Sequence, residues 1–214
     1  GRDKTIRVWT LNPSLQVVTT VKDAESDWIL AMHLDTDSGT LLSAGMAGAI
    51  TAWRLKGDEL VKLTTSPRAH SDGIHALQLC VNLGIVLSAG VEGAIRVWHF
   101  EDDTLGSMIT SIDAHSGWNR GLHFDEESAV IVSGGDDGAI RAWRLEGDTL
   151  TYIATAADAH TDGVRALQFD TASCSAISLG DNGVLRVWKL KLSSLAPVVS
   201  ASSGKQVAFV MHYD

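Results

Sequence analysis

The sequence predicts an all-β chain built from consecutive four-stranded antiparallel units. The main observation is a repeat: five tryptophans recur at spacings of 44, 45, 45 and 45 residues. Self-similarity with a period of roughly 40–45 residues is typical of units that stack on their neighbours to bury a continuous core. The tryptophans of this series are Trp9, Trp53, Trp98, Trp143 and Trp188.

Two further sequence words keep the same period, which makes coincidence an inadequate explanation. One reads "RAHSDGI", "DAHSGWN" and "DAHTDGV" and places a histidine every 45 residues, with Glu25 in the equivalent position one period earlier. The other reads "LLSAG", "VLSAG", "IVSGG" and "AISLG". The residues that recur are His70, His115 and His160 in the first word, and Ser43, Ser88, Ser133 and Ser178 in the second.

Each period contains four short apolar segments separated by turn residues. The first alternates, as in the segment 164–169, and the second is aliphatic and runs into the serine word. The third carries the tryptophan, with Arg141 expected on the face opposite Ile140 and Ala142. The fourth follows a Gly-Asp turn, and no segment has the 3.6-residue stripe of a helix. These features predict antiparallel meanders.

The repeat also divides the chain. We expect the end of one unit at 1–22, full units at 23–66, 67–111, 112–156 and 157–201, and the start of a further unit at 202–214. Two end pieces joined into one unit would lack its second strand and leave unpaired backbone edges. We therefore expect a piece of a longer chain with six or more units, the alternative being a five-unit ring with a defective closing unit.

Composition excludes several classes of protein. Seventeen Lys and Arg against 26 Asp and Glu give a net charge of −9, which argues against binding to nucleic acid or anionic membranes. Two cysteines, Cys80 and Cys174, cannot form a disulfide framework and fit a reducing compartment. No apolar run approaches the roughly 20 residues of a transmembrane helix. We expect a cytoplasmic protein.

The repeated words resemble those of the WD-repeat β-propellers over essentially the whole chain. The resemblance implies a propeller of four-stranded blades and a structural hydrogen-bond tetrad in each blade. Glu25 and Ala47 replace the tetrad His and Asp in the blade that ends at Trp53, so we expect that relay to be broken. The tetrads implied elsewhere are His115, Ser133, Asp137 and Trp143; His160, Ser178, Asn182 and Trp188; and His70, Ser88, Glu92 and Trp98.

A catalytic interpretation of these residues is weaker than the structural one. His115, Ser133 and Asp137 have the composition of a nucleophilic triad, but the same set recurs in degraded form in other units, whereas an active site is normally singular. The histidines lack the spacing of a metal site, and the Gly-rich words lack the Lys and helix of a phosphate loop. We therefore expect no catalytic residue, no metal and no cofactor.

One rim of the predicted blades carries candidate partner-binding residues. Trp28 and Trp118 are the only tryptophans outside the periodic series, and glycines 73 and 163 take their place in the other two blades. Trp and Arg carry much of the binding energy at protein interfaces. The alternative is that both indoles cap the core. The full set is Trp28, Leu30, Met46, His75, Trp118, Arg120, Asp136, Arg165 and Asp181, and we expect its acidic members, with Asp27, to favour a basic partner.

These observations predict a non-catalytic scaffold that binds other proteins within a larger assembly. We expect no nucleic-acid, membrane or small-molecule partner. The long, variable repeats resemble in style those of microtubule- and cilium-associated WD-repeat proteins. The alternative is a regulatory or targeting propeller attached to an enzyme on a longer polypeptide.

Overall fold

The prediction of an all-β chain is confirmed by a computed structural model that describes residues 1–12, 14–66, 68–170, 172–191 and 194–202. One two-stranded and four four-stranded antiparallel sheets contain all its strands. Within these residues the only helical element is a short 3-10 turn at Val81–Leu83. No helix in this part of the chain is long and apolar enough to span a bilayer.

Each sheet is a meander in which strands that are consecutive in sequence are hydrogen-bonded neighbours. The half-sheet contains β1 (Ile6–Thr10) and β2 (Gln16–Val21); sheet I contains β3 (Ile29–Asp35), β4 (Thr40–Gly45), β5 (Ile50–Lys56) and β6 (Glu59–Ser66). Sheet II contains β7 (Ile74–Cys80), β8 (Ile85–Gly90), β9 (Ala94–Glu101) and β10 (Thr104–Asp113). Sheet III contains β11 (Asn119–Asp125), β12 (Val130–Gly135), β13 (Ile140–Glu146) and β14 (Thr149–Ala156); sheet IV contains β15 (Val164–Asp170), β16 (Ser175–Gly180), β17 (Val184–Lys191) and β18 (Ser194–Ser202).

These sheets can be set beside the units expected from the sequence. The half-sheet lies within residues 1–22, and sheet II continues to Asp113, past the expected boundary at 111. Residue 202 belongs to β18, and the rest of the expected further unit at 202–214 lies outside the described residues. The Gly-Asp turns predicted before the fourth strands form two-residue hairpin loops, with Lys56 opposite Glu59 and Glu146 opposite Thr149.

The hydrophobic core lies in layers between successive sheets. Every residue of β4, β8 and β12 is buried, because sheets I, II and III each have a neighbour on both faces. Strand β16 keeps half-buried residues, since the described part of the chain provides sheet IV with one neighbour. Each layer contains the periodic tryptophan of its later sheet, namely Trp53, Trp98, Trp143 and Trp188 in order along the chain.

A side-chain amide joins the first strands of sheets II and III. Gln78 Nε2 donates to the carbonyl oxygen of Phe124 at 2.7 Å, and the Phe124 N–H donates to Gln78 Oε1 at 2.7 Å. The amide therefore serves both backbone groups of Phe124, which face another sheet and would otherwise need partners. Sequence reasoning missed this contact, because the glutamine belongs to no repeated word.

A second junction between sheets depends on glycine. The Gly93 carbonyl accepts the backbone N–H of His115 at 3.1 Å, and the equivalent bonds join Gly48 to His70 and Gly138 to His160. Gly93 has a φ of +86°, and a Cβ added there would lie 1.9 Å from the His115 carbonyl oxygen. The close approach and the positive φ together require glycine at this position.

Replacement of Gly93 by Ala should lower the free energy of unfolding by about 3 kcal/mol, from left-handed strain and backbone overlap together. Gly57 is the matched control, because its φ is +59° but an added Cβ would meet no atom within 4 Å. Gly57→Ala should cost only about 1–2 kcal/mol, from strain alone. Denaturant unfolding of both variants makes the comparison, and equal losses would contradict the close-approach argument.

Candidate functional site

A buried hydrogen-bond relay fixes the loops of sheet III below the candidate surface. Trp143 Nε1 donates to Ser133 Oγ at 3.2 Å, Ser133 Oγ lies 2.9 Å from His115 Nε2, and His115 Nδ1 lies 2.8 Å from Asp137 Oδ1. Asp137 Oδ1 also accepts the N–H of Ala139 at 3.1 Å. The relay joins the second and third strands to the loop between them and to the loop before the first strand, and it leaves no relay side chain without a partner.

This geometry opposes a nucleophilic role for Ser133. Its hydroxyl accepts the Trp143 indole N–H, faces His115, and is fully buried. A nucleophilic serine needs a free path from its oxygen to a substrate carbonyl, and here the indole occupies that side. The arrangement of sheet II is the same. Trp98 Nε1 donates to Ser88 Oγ at 2.9 Å, and Ser88 Oγ lies 2.7 Å from His70 Nε2. The other ring nitrogen, His70 Nδ1, lies 2.7 Å from Glu92 Oε1.

An arginine on each third strand of sheets II and III joins the relay. Because Ser133 pairs with Arg141 and Ile131 pairs with Trp143, Arg141 and Trp143 lie on the same face of the sheet. Arg141 therefore lies on the face opposite Ile140 and Ala142, as expected, and shares its own face with Trp143. Arg141 Nη1 donates to Asp137 Oδ2 at 2.8 Å. Burial lowers the pKa of His115, so the ion pair is carried by Arg141 and Asp137 while the imidazole is neutral.

Sheet IV departs from the tetrad that the resemblance implies. Trp188 Nε1 donates to Ser178 Oγ at 2.8 Å, and Ser178 Oγ lies 2.7 Å from His160 Nε2. Asn182, however, makes no hydrogen bond to His160: its amide donates to Thr161 Oγ1 at 3.1 Å and accepts the N–H of Val184 at 3.0 Å. His160 Nδ1 has no partner within the described residues. The relay of sheet IV thus contains three residues, because the neutral Asn amide serves the turn instead of the imidazole.

The relay of sheet I is not broken, contrary to the expectation from Glu25 and Ala47. Ser43 Oγ donates to Glu25 Oε1 at 2.5 Å and accepts the N–H of Trp53 Nε1 at 2.9 Å. The Glu25 side chain therefore accepts the hydrogen bond of the serine, as the imidazole does in the other sheets. Desolvation raises the pKa of Glu25, while hydrogen bonds from Ser43 and Thr51 oppose that rise. The sequence could not show this substitution, because it depends on the length and direction of the Glu25 side chain.

The candidate rim is formed where the first strands begin and the second strands end. The N–H groups of Met46, Val91, Asp136 and Asp181 donate to the carbonyl oxygens of residues 28, 73, 118 and 163, at 2.8–3.0 Å. These bonds place the expected residues of all four sheets at one end of the molecule. The expected partner-binding residues that occupy this end are Trp28, Leu30, Met46, His75, Trp118, Arg120, Asp136, Arg165 and Asp181.

The rim carries two exposed indoles and an apolar patch between them in the chain. Trp28 is 39% exposed and Trp118 is 40% exposed, whereas the four relay tryptophans of sheets I–IV are buried. Between the two exposed indoles, an added Cβ on Gly73 would lie 3.1 Å from Val91 and 3.2 Å from Met46, so these two side chains converge over the glycine. The side chains of Met46 and Val91 therefore form an apolar patch over Gly73.

Cations and an imidazole hold the two indoles in place. Arg2 lies 4.3 Å above the ring of Trp28, and Arg120 lies 4.2 Å above the ring of Trp118. The His75 ring stacks on Trp118 with 5.1 Å between ring centroids and an interplanar angle of 23°. Burial and the charge of Arg120 lower the pKa of His75 to about 4, so the stacked imidazole is neutral near pH 7.

The rim of sheets III and IV is charged but internally paired. Arg120 Nε donates to Asp136 Oδ1 at 2.7 Å, and Arg165 forms an ion pair with Asp181. The two aspartates thus have their own cations, and they give little reason to expect a basic partner. Asp27 and Asp72 form no ion pair among the described residues, and each accepts the N–H of the residue that follows it.

Acidification should destabilise the fold over the range set by the relay histidines. Burial lowers the pKa of His70 and of His160 to about 4, from an ordinary value of 6.5. Between these pH values the unfolded chain binds protons that the folded chain does not, so the free energy of unfolding falls as the pH is lowered from 6.5 to 4. Denaturant unfolding at several pH values measures this slope. His160→Gln should reduce the slope and His99→Gln, at an exposed site, should not; a stability that is flat from pH 7 to 5 would refute the assignment.

The carboxylate of sheet I should behave in the opposite sense. The raised pKa of Glu25 means that its ionised form is disfavoured in the folded state, so its contribution to stability is lost as the pH rises through that pKa. Glu25→Gln keeps an oxygen for Ser43 and removes the buried charge. Its free energy of unfolding should exceed that of the native chain at pH 7, and the difference should vanish below the ordinary pKa of 4.5. A Gln variant that is less stable than the native chain at pH 7 would show that the charge itself is required.

Comparison with known proteins identifies the architecture. The family model for "WD domain, G-beta repeat" matches residues 106–144 and 151–189. Two crystal structures of Sqt1 from Chaetomium thermophilum superpose with TM-scores of 0.77 and 0.78, each at 16% sequence identity over 95% of this chain. This chain spans 57% and 56% of those two chains, and the similarity at this identity establishes the fold alone. No curated protein matches the sequence.

The matched repeats cover parts of sheets II to IV, and the relay that the resemblance implies recurs, with the substitutions described above, in sheets I to IV. The structural neighbours extend the same architecture over nearly the whole chain. Two segments of the chain therefore match the WD repeat, and its consecutive four-stranded antiparallel sheets are those of a WD-repeat β-propeller fold.

Proposed function

We propose that this chain is a non-catalytic interaction scaffold that binds other proteins through the rim of its blades. The observation that carries the proposal is the pair of half-exposed indoles, Trp28 and Trp118, at positions where the fold accepts glycine. A large aromatic side chain that the fold does not require, and that solvent reaches, has the properties of an interface anchor.

The rim supports a partner that presents an apolar side chain beside polar groups. The apolar patch over Gly73 consists of Met46 and Val91, and Arg120, which is paired with Asp136, stacks on Trp118. The stacking of Arg120 and His75 on Trp118 keeps the indole from rotating freely, so little side-chain entropy remains to be lost on binding. Exposed aromatic side chains together with apolar residues are typical of the centre of an interface.

Electrostatics at the rim favours a short basic stretch in the partner next to the apolar residue. Asp27 and Asp72, in the loops before the first strands of sheets I and II, are exposed, whereas Arg120 and Arg165 are paired with aspartates. Exposed charges of this kind mainly increase the association rate and select orientation, and their effect falls with added salt. In this proposal the exposed indoles and the apolar patch over Gly73 supply the larger part of the affinity.

The proposal includes the cellular setting expected from the sequence. The chain would act in a cytoplasmic assembly of the microtubule or cilium type, supported by the resemblance of its long, variable repeats to those of such proteins. Other proteins are the proposed partners.

The rim is tested by measuring partner binding with Trp118→Ala and Arg120→Ala in a pull-down followed by titration of the captured protein. Each substitution should weaken binding by about 2 kcal/mol or more, which corresponds to about thirtyfold in Kd. Leu83→Ala is the matched control, since Leu83 is an exposed apolar residue in the turn at the opposite end of sheet II.

Thermal melts of the same variants separate binding from folding. Trp143→Ala should lower the melting temperature strongly, because its buried indole leaves a cavity and an unpaired relay, whereas Trp118→Ala should lower it much less. Unchanged affinity in both rim variants, or a melt for Trp118→Ala as low as that for Trp143→Ala, would refute the proposed role.

A further inference from the structure

A polar pocket lies at the outer side of sheet II and shares no residue with the rim. It has a volume of about 780 Å³ and is bounded by the loop before β7, the strands β9 and β10, and Ala47 from sheet I. Its polar lining consists of Arg68, Arg96, His70, Ser71 and Ser111, and its apolar wall consists of Trp98 and Met108. No aspartate or glutamate lines it.

The repeat itself shows that Arg68 is an exception. The residue before the Ala of the histidine word is Asp23 in sheet I, Asp113 in sheet III and Asp158 in sheet IV, and only sheet II has a cation there. The pockets at the equivalent places of sheets I and IV are lined by Asp23 and Asp158. The fold therefore accepts an aspartate at this position, and the reversal of charge in sheet II has no structural cause that the repeats share.

The charges of this pocket leave one guanidinium available. Arg96 donates to the Ala69 carbonyl oxygen at 2.6 Å and lies 3.1 Å from Glu92, so its charge is already compensated. His70 is neutral, because burial lowers its pKa to about 4. Arg68 is exposed, and in the described part of the chain it makes no hydrogen bond or ion pair. On a chain with a net charge of −9, this pocket presents an unpaired positive charge beside an apolar wall.

We propose that the pocket of sheet II binds an acidic side chain of a protein segment, with a neighbouring apolar residue of that segment against Trp98 and Met108. The planar guanidinium of Arg68 matches the two oxygens of a carboxylate, and the hydroxyls of Ser71 and Ser111 can donate to the same group. Met108 is 48% exposed and its flexible side chain adapts to different apolar residues. This site takes an acidic segment, whereas the rim favours an apolar and basic one.

The test uses a synthetic peptide of alternating Glu and Leu, and the same peptide with Gln in place of Glu. NMR titration of the chain should show the Trp98 indole N–H and the Met108 methyl group shifting with the Glu peptide and not with the Gln peptide. Arg68→Asp, which installs the residue of the other three sheets, should weaken the binding of the Glu peptide by about tenfold or more. Arg68→Gln serves the same purpose if the Asp variant does not fold.

Arg144→Asp is the matched control, because it changes the net charge by the same amount at an exposed position of sheet III. It should leave the affinity for the Glu peptide nearly unchanged. Equal weakening by Arg68→Asp and Arg144→Asp would reduce the effect to overall charge and overturn the proposal. Binding that survives Arg68→Asp, or equal binding of the Gln peptide, would also overturn it. Competition of inorganic phosphate as strong as that of the Glu peptide would show an anion site without preference for a peptide carboxylate, which contradicts the proposed partner.

Discussion

The hydrogen bond from a tryptophan indole to a buried serine hydroxyl is the constraint on which the rest of this structure depends. It occurs in all four full sheets, at 2.8–3.2 Å, and joins the third strand to the second below the loops. The serine then needs an acceptor for its own proton, because a buried hydroxyl left unpaired costs about 1–3 kcal/mol. That acceptor lies in the loop that precedes the first strand. Its hydrogen bond to the serine therefore fixes the position of the loop that leads into the rim.

The serine of the relay faces a histidine in three sheets and a glutamate in the fourth. His115 faces its serine with Asp137 behind it, His70 with Glu92, and His160 without a fourth residue. Glu25 does so as a carboxylate, at 2.5 Å from Ser43. The family's full tetrad is therefore one solution of a simpler requirement, which is that the buried hydroxyl be satisfied. This tolerance explains how the repeats diverge in sequence and keep one fold.

The relay fixes the backbone of the rim, whereas the side chains that the rim carries differ from one sheet to the next. Residues 28, 73, 118 and 163 share one backbone position, with their carbonyl oxygens bonded to the second strand, yet they carry two indoles and two glycines. The apolar patch over Gly73 and the paired charges of Arg120 and Asp136 differ in chemistry, although both lie on the same repeated backbone. The charge reversal at Arg68 is variation of the same kind at the outer side of sheet II.

The repeat, the four-stranded units and the residues at the rim could all be predicted from the sequence, because the 45-residue spacing of Trp, Ser and His reflects one repeated backbone. The periodicity predicts where a residue lies on the backbone, but it does not predict which atoms its side chain contacts. The tertiary structure was needed to show that Glu25 replaces an imidazole and that Asn182 makes no hydrogen bond to His160. It was also needed to show that the Gln78 amide is hydrogen-bonded to the Phe124 backbone of the next sheet. It also decided that Asp136 and Asp181 are neutralised by arginines, since pairing depends on distances of a few ångströms between side chains that the repeat treats as equivalent.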